Sequence, residues 1–333
     1  MTIIDNVRKQ YWDLLIKIKK FRADLDVKNE LTEESVFKSV KMLDYANKEL
    51  IAIESSIDLT TKRSEIFNKL RVLSLSDFGL FLLSIPNPDF PKLSNLLPRM
   101  ATDEVQMNWT GCSGLSLLTQ TLDFVRSVSY NFTKLTGRTL QNTNILDFGC
   151  GYGRITRLMY YFTNEDQIYA MDPGDESLET CRSDGLTKNF LLSEYLPTTL
   201  PVTNTKFDLI FAFSVFTHLS NRATLACLNT LAHYIKPGGV IVITIRPVEY
   251  WDIDPNATKL GLSEQQKSIH NSQGFSFLPQ DWSPIVDEDI TFGDTSMTFE
   301  WLKNSFPNLH IVGQDRSLSD PYQIYVFIQK QLD

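Results

Sequence analysis

Three glycines lie close together directly after a short apolar run. They are Gly149, Gly151 and Gly153 in the segment NILDFGCGYGRITRL, residues 144–158. NILDF is suited to a buried strand, and the residues after the last glycine continue as a helix. Glycine lets the backbone approach a ligand closely at such a strand-to-helix turn, where the helix amides favour negative charge. The segment therefore predicts a ligand-binding loop.

An acidic residue ends the next predicted strand. The segment QIYAMDP, residues 167–173, predicts a strand that ends at Asp172. A carboxylate there can accept hydrogen bonds from both hydroxyls of a ribose. A dinucleotide site prefers G-x-G-x-x-G, but Arg154 stands where the later glycine would be. The sequence also contains no G-x-x-x-x-G-K-[ST] phosphate loop. A ligand with a ribose but no phosphate therefore fits the pattern better.

Strand and helix patterns alternate after this loop. KFDLIFAFSVF, residues 206–216, is a third strong strand signal. Residues 221–245 predict a helix, a Pro-Gly-Gly turn and a further buried strand. This alternation predicts an α/β fold with a parallel, doubly wound sheet, in which ligands lie over the carboxyl ends of the strands.

The four segments ILDFGCGYGR, YAMDP, FDLIFAFSVFTHLS and IKPGGVIVITI together resemble a class I S-adenosylmethionine-dependent methyltransferase. They are most similar to a bacterial group that carries an FSVFTHL segment and is often associated with polysaccharide or other glycan biosynthesis. WTGCSG at 109–114 is similar to that group's lead-in segment, and the tail up to about residue 330 is similar to its ending. The resemblance implies a Rossmann-like fold with a mostly parallel seven-stranded sheet, and S-adenosyl-L-methionine as cofactor.

The resemblance also implies roles for individual residues. The backbone of the loop would wrap the methionine part of the cofactor, Asp172 would hold its ribose, and Asp147 would orient the loop or meet the cofactor amine through water. Glu194 is favoured as the adenine acceptor, with Ser193 and Leu196 as alternatives. The cofactor-binding set is Asp147, Gly149, Cys150, Gly151, Gly153, Asp172, Glu194, Phe213 and Ser214, the last two lying near the reactive end.

His218 is the candidate catalytic residue. It follows the strand of residues 206–216, at the rim where a methyl acceptor would meet the cofactor. An unperturbed histidine has a pKa of about 6.5, which suits a base that assists an alcohol acceptor. The alternative is a histidine that caps the next helix or only shapes the pocket.

A long segment rich in aromatic residues interrupts the helix–strand rhythm at residues 246–295. Such an insertion at the carboxyl edge of a sheet is a natural lid or acceptor pocket, although aromatic side chains also simply pack loops. Its aromatic-ring side chains include Tyr250, Trp251, His270, Phe275, Phe277 and Trp282. Asp252 and Asp254 read as turn formers, and no metal site is expected.

Composition narrows the possible partners and the compartment. The net charge of -8 argues against a general nucleic-acid or anionic-membrane binder. The four cysteines show no metal-ligand spacing, and no signal peptide or membrane span is expected. We therefore expect a reduced, cytoplasmic protein that acts on a small-molecule or glycan acceptor.

Residues 1–75 differ from the rest because their apolar residues recur at helical spacing. One stripe runs from Ile4 to Leu25 and a second from Val36 to Ile57. They predict a helical hairpin or coiled-coil arm that could form a homodimer, or helices that pack on the neighbouring domain. A connecting segment (76–135) and a methyltransferase domain (136–333, with the insertion 246–295) would follow.

The sequence leaves more than one function open. The first hypothesis is a methyltransferase that acts on oxygen of a glycan or other polar small molecule by direct displacement. The second is a cofactor-binding scaffold whose helical arm recruits a partner. A nicotinamide dehydrogenase is the third, and it predicts tight NAD binding.

Overall fold

The computed structural model describes residues 43–186, 189–280 and 285–330. The predicted stripe from Ile4 to Leu25 and the first part of the second stripe lie outside these ranges. Six helices precede the sheet: α1 Asn47–Ser55, α2 Arg63–Leu70, α3 Leu75–Leu83, α4 Pro91–Leu96, α5 Asp103–Thr110 and α6 Gly114–Thr136.

A seven-stranded sheet forms the centre of the described chain, in the order β10-β11-β5-β4-β1-β2-β3. Its strands are β1 Ile145–Phe148, β2 Ile168–Asp172, β3 Phe190–Leu192, β4 Phe207–Ala212, β5 Ile235–Ile245, β10 Leu309–Arg316 and β11 Ile324–Lys330. Strands β5, β4, β1, β2 and β3 pair in parallel, whereas β11 runs antiparallel to both β5 and β10. The predicted doubly wound, mostly parallel seven-stranded sheet is confirmed.

Helices cover both faces of this sheet. The crossover helices are α7 Arg154–Met159, α8 Asp175–Ser183 and α9 Asn221–Tyr234. Ile145 contributes to the core on one face and Leu146 to the core on the other, because successive side chains of a strand point to opposite sides. Strands buried on both faces explain the uninterrupted apolar runs in the sequence.

The predicted Pro-Gly-Gly turn lies inside a strand instead of before one. Strand β5 begins at Ile235, includes Pro237 and continues to Ile245. Gly238 has a φ of 71°, and the pairing of β4 with β5 shifts register between Phe207 and Leu209. The three residues therefore form an irregularity at the start of the strand, which a proline and a glycine can occupy without breaking the later ladder.

The described part of the second N-terminal stripe packs on the main core. A turn of 3-10 helix, Asp44–Ala46, leads into α1. Leu50 and Ile53 of α1 are buried in the same cluster as Ile155 and Leu158 of α7. A boundary at residue 75 remains a prediction, and so does a dimer formed by the arm.

The insertion is a compact unit next to the carboxyl edge of the sheet. It contains a 3-10 helix, Val248–Asp252, followed by α10 Pro255–Leu260, α11 Ser263–Gln273, β6 Phe275–Pro279, β7 Ile285–Val286, β8 Asp289–Ile290 and β9 Gly293–Met297. Strands β6 and β9 form an antiparallel pair. Helix α12, Phe299–Ser305, then leads to β10. Among the described residues, no helix has the length and apolar character needed to cross a bilayer.

Candidate functional site

A cleft of about 670 Å³ lies over the carboxyl ends of the parallel strands. Strands β1, β2, β4 and β5 all end at this edge, and the antiparallel β11 begins there. Most of the predicted site residues line the cleft: Asp147, Gly149, Cys150, Gly151, Asp172, Glu194, Phe213, Ser214 and His218. Gly153 does not line it.

The glycine loop is held against β2 by its own backbone. The amides of Gly149 and Cys150 both donate to the Met171 carbonyl, at 2.8 and 3.0 Å. Gly149 has a φ of 75°, and a Cβ there would overlap the Val215 side chain. Gly153 lies behind the loop, where a Cβ would come within 2.6 Å of the Leu186 side chain. Two of the three glycines therefore allow the chain to pack closely around the loop.

Asp172 joins the glycine loop to the next strand. Its Oδ2 accepts from the amide of Gly151 at 2.9 Å, and its Oδ1 accepts from the amide of Gly174 at 2.8 Å. Burial raises the pKa of this carboxyl, and the two backbone amides oppose that rise. The Ser177 hydroxyl also donates to this carboxylate, which leaves it at least one lone pair on the cleft wall for a hydroxyl donor of a ribose.

Asp147 lies at the base of the cleft. Its Oδ2 accepts from the hydroxyl of Thr156 at 2.6 Å, which ties β1 to α7 just behind the loop. Burial raises the pKa of Asp147 to about 7. This contact supports the predicted role of orienting the loop.

The adenine candidates differ in burial. Glu194 is exposed at the cleft wall, and Leu196 does not line the cleft. Ser193 is buried on that wall, and its Oγ has no hydrogen-bond partner within the described chain. Buried polar atoms are normally hydrogen-bonded, so a partner supplied by a ligand would explain Ser193. The residues present thus fit a nucleoside, with Ser193 better placed than Glu194.

The chain makes a tight turn where β4 ends. Ser214 has a φ of 58°, unusual for a residue other than glycine, and its amide donates to the Thr244 hydroxyl at 2.7 Å. Its hydroxyl accepts from the side-chain amide of Gln323 at 3.0 Å. Such conformations concentrate at functional sites, where the surroundings hold them in place.

His218 is neutral and its ring is held on both sides. Nδ1 lies 2.8 Å from the Gly293 carbonyl, an acceptor only, so Nδ1 carries the hydrogen. Nε2 lies 3.2 Å from Nη2 of Arg246, which can only donate. Burial and the Arg246 charge lower the pKa of His218 to about 4, against the opposing effect of Asp294. The lone pair on Nε2, which a base would need, therefore already accepts a hydrogen bond from Arg246.

A buried polar cluster that the sequence did not reveal surrounds this histidine. Arg246, one residue past β5, donates through Nη1 to Asp294 Oδ1 at 2.8 Å. Asp294 also accepts from Tyr250, Asn256 and Gln280, all in the insertion. Burial alone would raise the pKa of Asp294, but the Arg246 charge and the hydrogen bonds from Gln280 and Arg246 hold it down. This cluster attaches the insertion to the carboxyl edge of the sheet.

Only some of the aromatic side chains of the insertion reach the cleft. Tyr250 lines it, and so does Phe292, whose ring stacks on His218 with centroids 5.0 Å apart. Trp251 is fully buried and donates to the Ser296 hydroxyl at 2.7 Å. His270 hydrogen-bonds to the Ser296 hydroxyl, and Phe275 packs against Trp301 of α12 with ring centres 4.6 Å apart. Phe277 packs on the core cluster that contains Phe275, and Trp282 lies outside the described residues. The expected aromatic pocket is therefore smaller than the composition of the segment indicated.

No group of three or more histidine, cysteine, aspartate or glutamate side chains in the described ranges has a geometry that could hold a metal ion. The acid pair of the insertion has other partners. Asp254 caps α10 by accepting from the amide of Ala257 at 2.6 Å, and Asp252 pairs with Lys267.

Residues 145–239 match a family model described as a methyltransferase domain. No curated protein matched the chain. The three solved structures described next are 11%, 13% or 14% identical to this chain in sequence. One is an S-adenosylmethionine-dependent methyltransferase from Clostridium acetobutylicum ATCC 824, with 14% identity, a TM-score of 0.41, and coverage of 64% of this chain and 92% of that one.

Two further solved structures are similar to the same extent. Magnesium protoporphyrin IX methyltransferase from Synechocystis PCC 6803 has 13% identity and a TM-score of 0.43, over 68% of this chain and 92% of that one. The glycopeptide N-methyltransferase MtfA has 11% identity and a TM-score of 0.41, over 62% and 86%.

The matched segment contains the glycine loop, Asp172 and the end of β4. The glycine loop and Asp172, which line the cleft, therefore belong to the segment that matches the methyltransferase domain. The chain contains a methyltransferase domain, and the predicted enzyme class and cofactor, a methyltransferase that uses S-adenosyl-L-methionine, are confirmed.

Proposed function

We propose that the protein transfers a methyl group to an oxygen atom of a polar small molecule or glycan by direct displacement. The observation that carries the proposal is that one cleft contains both the glycine loop with Asp172 and, past Ser214, a chamber bounded by His218, Arg246 and Tyr250. S-adenosyl-L-methionine, when bound, supplies the methyl group on a positively charged sulfur.

The chain's own residues would act by binding and orientation. Asp172 is placed for the ribose, Ser193 for the adenine side, and the backbone at Gly149 and Gly151 for the methionine part. Displacement needs the acceptor atom in line with the transferred group, so positioning and exclusion of water account for most of the rate. The insertion lines the chamber with Tyr250, Ile253 and Phe292 and would supply that exclusion.

The chamber combines hydrogen-bonding groups with aromatic faces. Arg246 and Gln323 offer polar side chains, and Tyr250, Phe292 and Tyr322 form apolar walls. A sugar has hydroxyls on its edges and C–H bonds on its faces, so it fits both kinds of surface. This composition supports a glycan or another polyhydroxylated acceptor.

For His218 the geometry supports the second of the two predicted roles. Its Nε2 accepts from Arg246, so the neutral ring would shape the chamber and hold the guanidinium instead of removing a proton. A rate that depends mainly on positioning does not require a base. We propose His218 as a positioning residue on this ground.

The test of the proposed function uses isotopically labelled cofactor and an extract of the native host. Mass analysis should find a labelled methyl group on oxygen of a small molecule or glycan, and Asp172→Asn should abolish the signal. Label on nitrogen or carbon only would contradict the proposal. Calorimetric binding of the cofactor without any labelled product would instead favour the scaffold hypothesis, for which no finding speaks at present.

A further inference from the structure

Arg154 is a buried cation on the cleft wall without a carboxylate partner. It follows the glycine loop and is 9% exposed. Its Nη1 donates to Gln120 Oε1 at 2.6 Å and to Thr121 Oγ1 at 3.0 Å, both neutral. Within the described chain, no carboxylate oxygen lies in ion-pair distance of it. The next arginine of the same helix, Arg157, is equally buried and does have such a partner in Asp184, at 3.2 Å.

A half-buried carboxylate lies on the other side of the same glutamine. Gln120 donates through Nε2 to Asp320 Oδ2 at 2.6 Å, and both residues line the cleft. Burial raises the pKa of Asp320 and lowers that of Arg154, and the attraction between the two charges opposes both shifts. Gln120 thus holds a guanidinium and a carboxylate apart, with both facing the same space. A buried charge is normally paired, and the buried charge of Arg154 is not, so this arrangement is incomplete without a ligand.

Strand order places these two charges relative to the ribose site. The Arg154 guanidinium lies 5.1 Å from the centre of the Phe213 ring, directly after β4, whereas Asp172 ends β2. Strand β1 and its glycine loop lie between them. Neighbouring strands are about 4.8 Å apart, so the two positions are separated by roughly 10 Å across the loop. A ligand with its ribose at Asp172 that extends over the loop would end at Arg154 and Asp320.

We propose that Arg154 and Asp320 form the subsite for the α-amino and α-carboxylate groups of the cofactor. Arg154 takes the carboxylate, Asp320 takes the ammonium group, and Gln120 holds both side chains in place. The inference rests on the proposed function, because it assumes that the nucleoside occupies the cleft. Gln120 and Asp320 lie outside the matched domain of residues 145–239. The helices before the sheet and the loop before β11 therefore complete the cofactor site.

Calorimetry with three nucleosides tests the subsite. S-adenosylhomocysteine carries both charged groups, its decarboxylated analogue carries only the amine, and 5′-methylthioadenosine carries neither. Arg154→Gln should lower the affinity for S-adenosylhomocysteine about tenfold to a hundredfold. The affinities for the other two nucleosides should not change. Asp320→Asn should lower the affinity for S-adenosylhomocysteine and for its decarboxylated analogue, since both carry the amine. The affinity for methylthioadenosine should not change.

The matched controls are Arg222→Gln and Asp287→Asn, which remove an exposed ion pair that does not line the cleft. They should change none of the affinities. If Arg154→Gln lowered the affinity for methylthioadenosine as strongly as that for S-adenosylhomocysteine, the inference would be overturned, because the residue would then be structural. If Arg154→Gln left the ratio of these two affinities as it is in the wild type, the inference would also be overturned. Arg154 would then be assigned to binding an acidic methyl acceptor. Failure of the wild-type protein to bind any of the three would instead refute the proposed function itself.

Discussion

At the scale of single residues, Asp172 combines two tasks. It accepts from the amides of Gly151 and Gly174 and from the Ser177 hydroxyl, and its proposed second task is to accept from the ribose of the cofactor. An asparagine keeps only one acceptor oxygen and places an N–H₂ group against a backbone donor. We expect Asp172→Asn to lower affinity for S-adenosylhomocysteine by at least about tenfold, measured by calorimetry.

Asp175→Asn is the matched control for this change. Asp175 begins α8 three residues later, and its side chain is 79% exposed. Its replacement should leave the affinity unaltered. If Asp172→Asn bound the nucleoside as tightly as the wild type, the ribose assignment would be wrong.

His218 predicts a dependence of stability on pH. Its pKa is about 4 in the folded protein, below the ordinary histidine value of about 6.5, so the unfolded chain binds a proton between these values and the folded one does not. The contribution of His218 is therefore complete above about pH 6.5 and is lost as pH falls towards 4. We expect wild type to lose about 2 kcal/mol more than His218→Gln between pH 7.5 and pH 5, from urea unfolding.

His233→Gln serves as the comparison, because His233 is exposed near the end of α9. It should lose as much stability on acidification as the wild type. Identical pH profiles for wild type and His218→Gln would show that the ring is not buried in its neutral form.

At the scale of elements, the insertion depends on one buried carboxylate. Asp294 of β9 accepts from Arg246, the residue directly after β5, and from three further side chains of the insertion. Asp294→Asn would leave the guanidinium without its counter-ion. We expect a loss of about 3 kcal/mol in the free energy of unfolding and faster hydrogen exchange in α10 and α11.

Asp252→Asn is the control within the same insertion. Asp252 pairs with Lys267 at the surface, with a side chain 53% exposed, so its loss should cost about 0.5 kcal/mol or less. Equal effects of the two substitutions would contradict the anchoring role of Asp294.

At the scale of the whole molecule, the helices before the sheet share its core. Phe67 of α2 is buried, and its ring centre lies 4.8 Å from that of Tyr160, just after α7. Phe67→Ala should therefore cost about 3 to 5 kcal/mol in urea unfolding, although Phe67 lies far outside the matched domain.

Leu59→Ala tests the same region at an exposed position. Leu59 is fully exposed, so we expect a change within about 0.5 kcal/mol. A loss below about 1 kcal/mol for Phe67→Ala would mean that residues 43–75 unfold separately from the sheet, as the predicted arm would.

The elements and the cofactor loop could be predicted because their signals are local. Apolar runs of strand length, helical periodicity and three closely spaced glycines depend only on neighbouring residues, and so does the acid that ends β2. The Pro-Gly-Gly segment lies inside a strand and not before one, because pairing with β4 decides where β5 begins.

The amino-acid sequence alone thus determined the α/β architecture, the glycine loop and Asp172. Tertiary structure decided which side chains lie together at the cleft: Arg246 beside His218, the buried Ser193 next to the exposed Glu194, and Gln120 between Arg154 and Asp320. Burial and hydrogen-bond partners come from residues as many as 200 positions apart, as for Gln120 and Asp320. Those contacts exist only after the sheet has brought its strand ends to one edge.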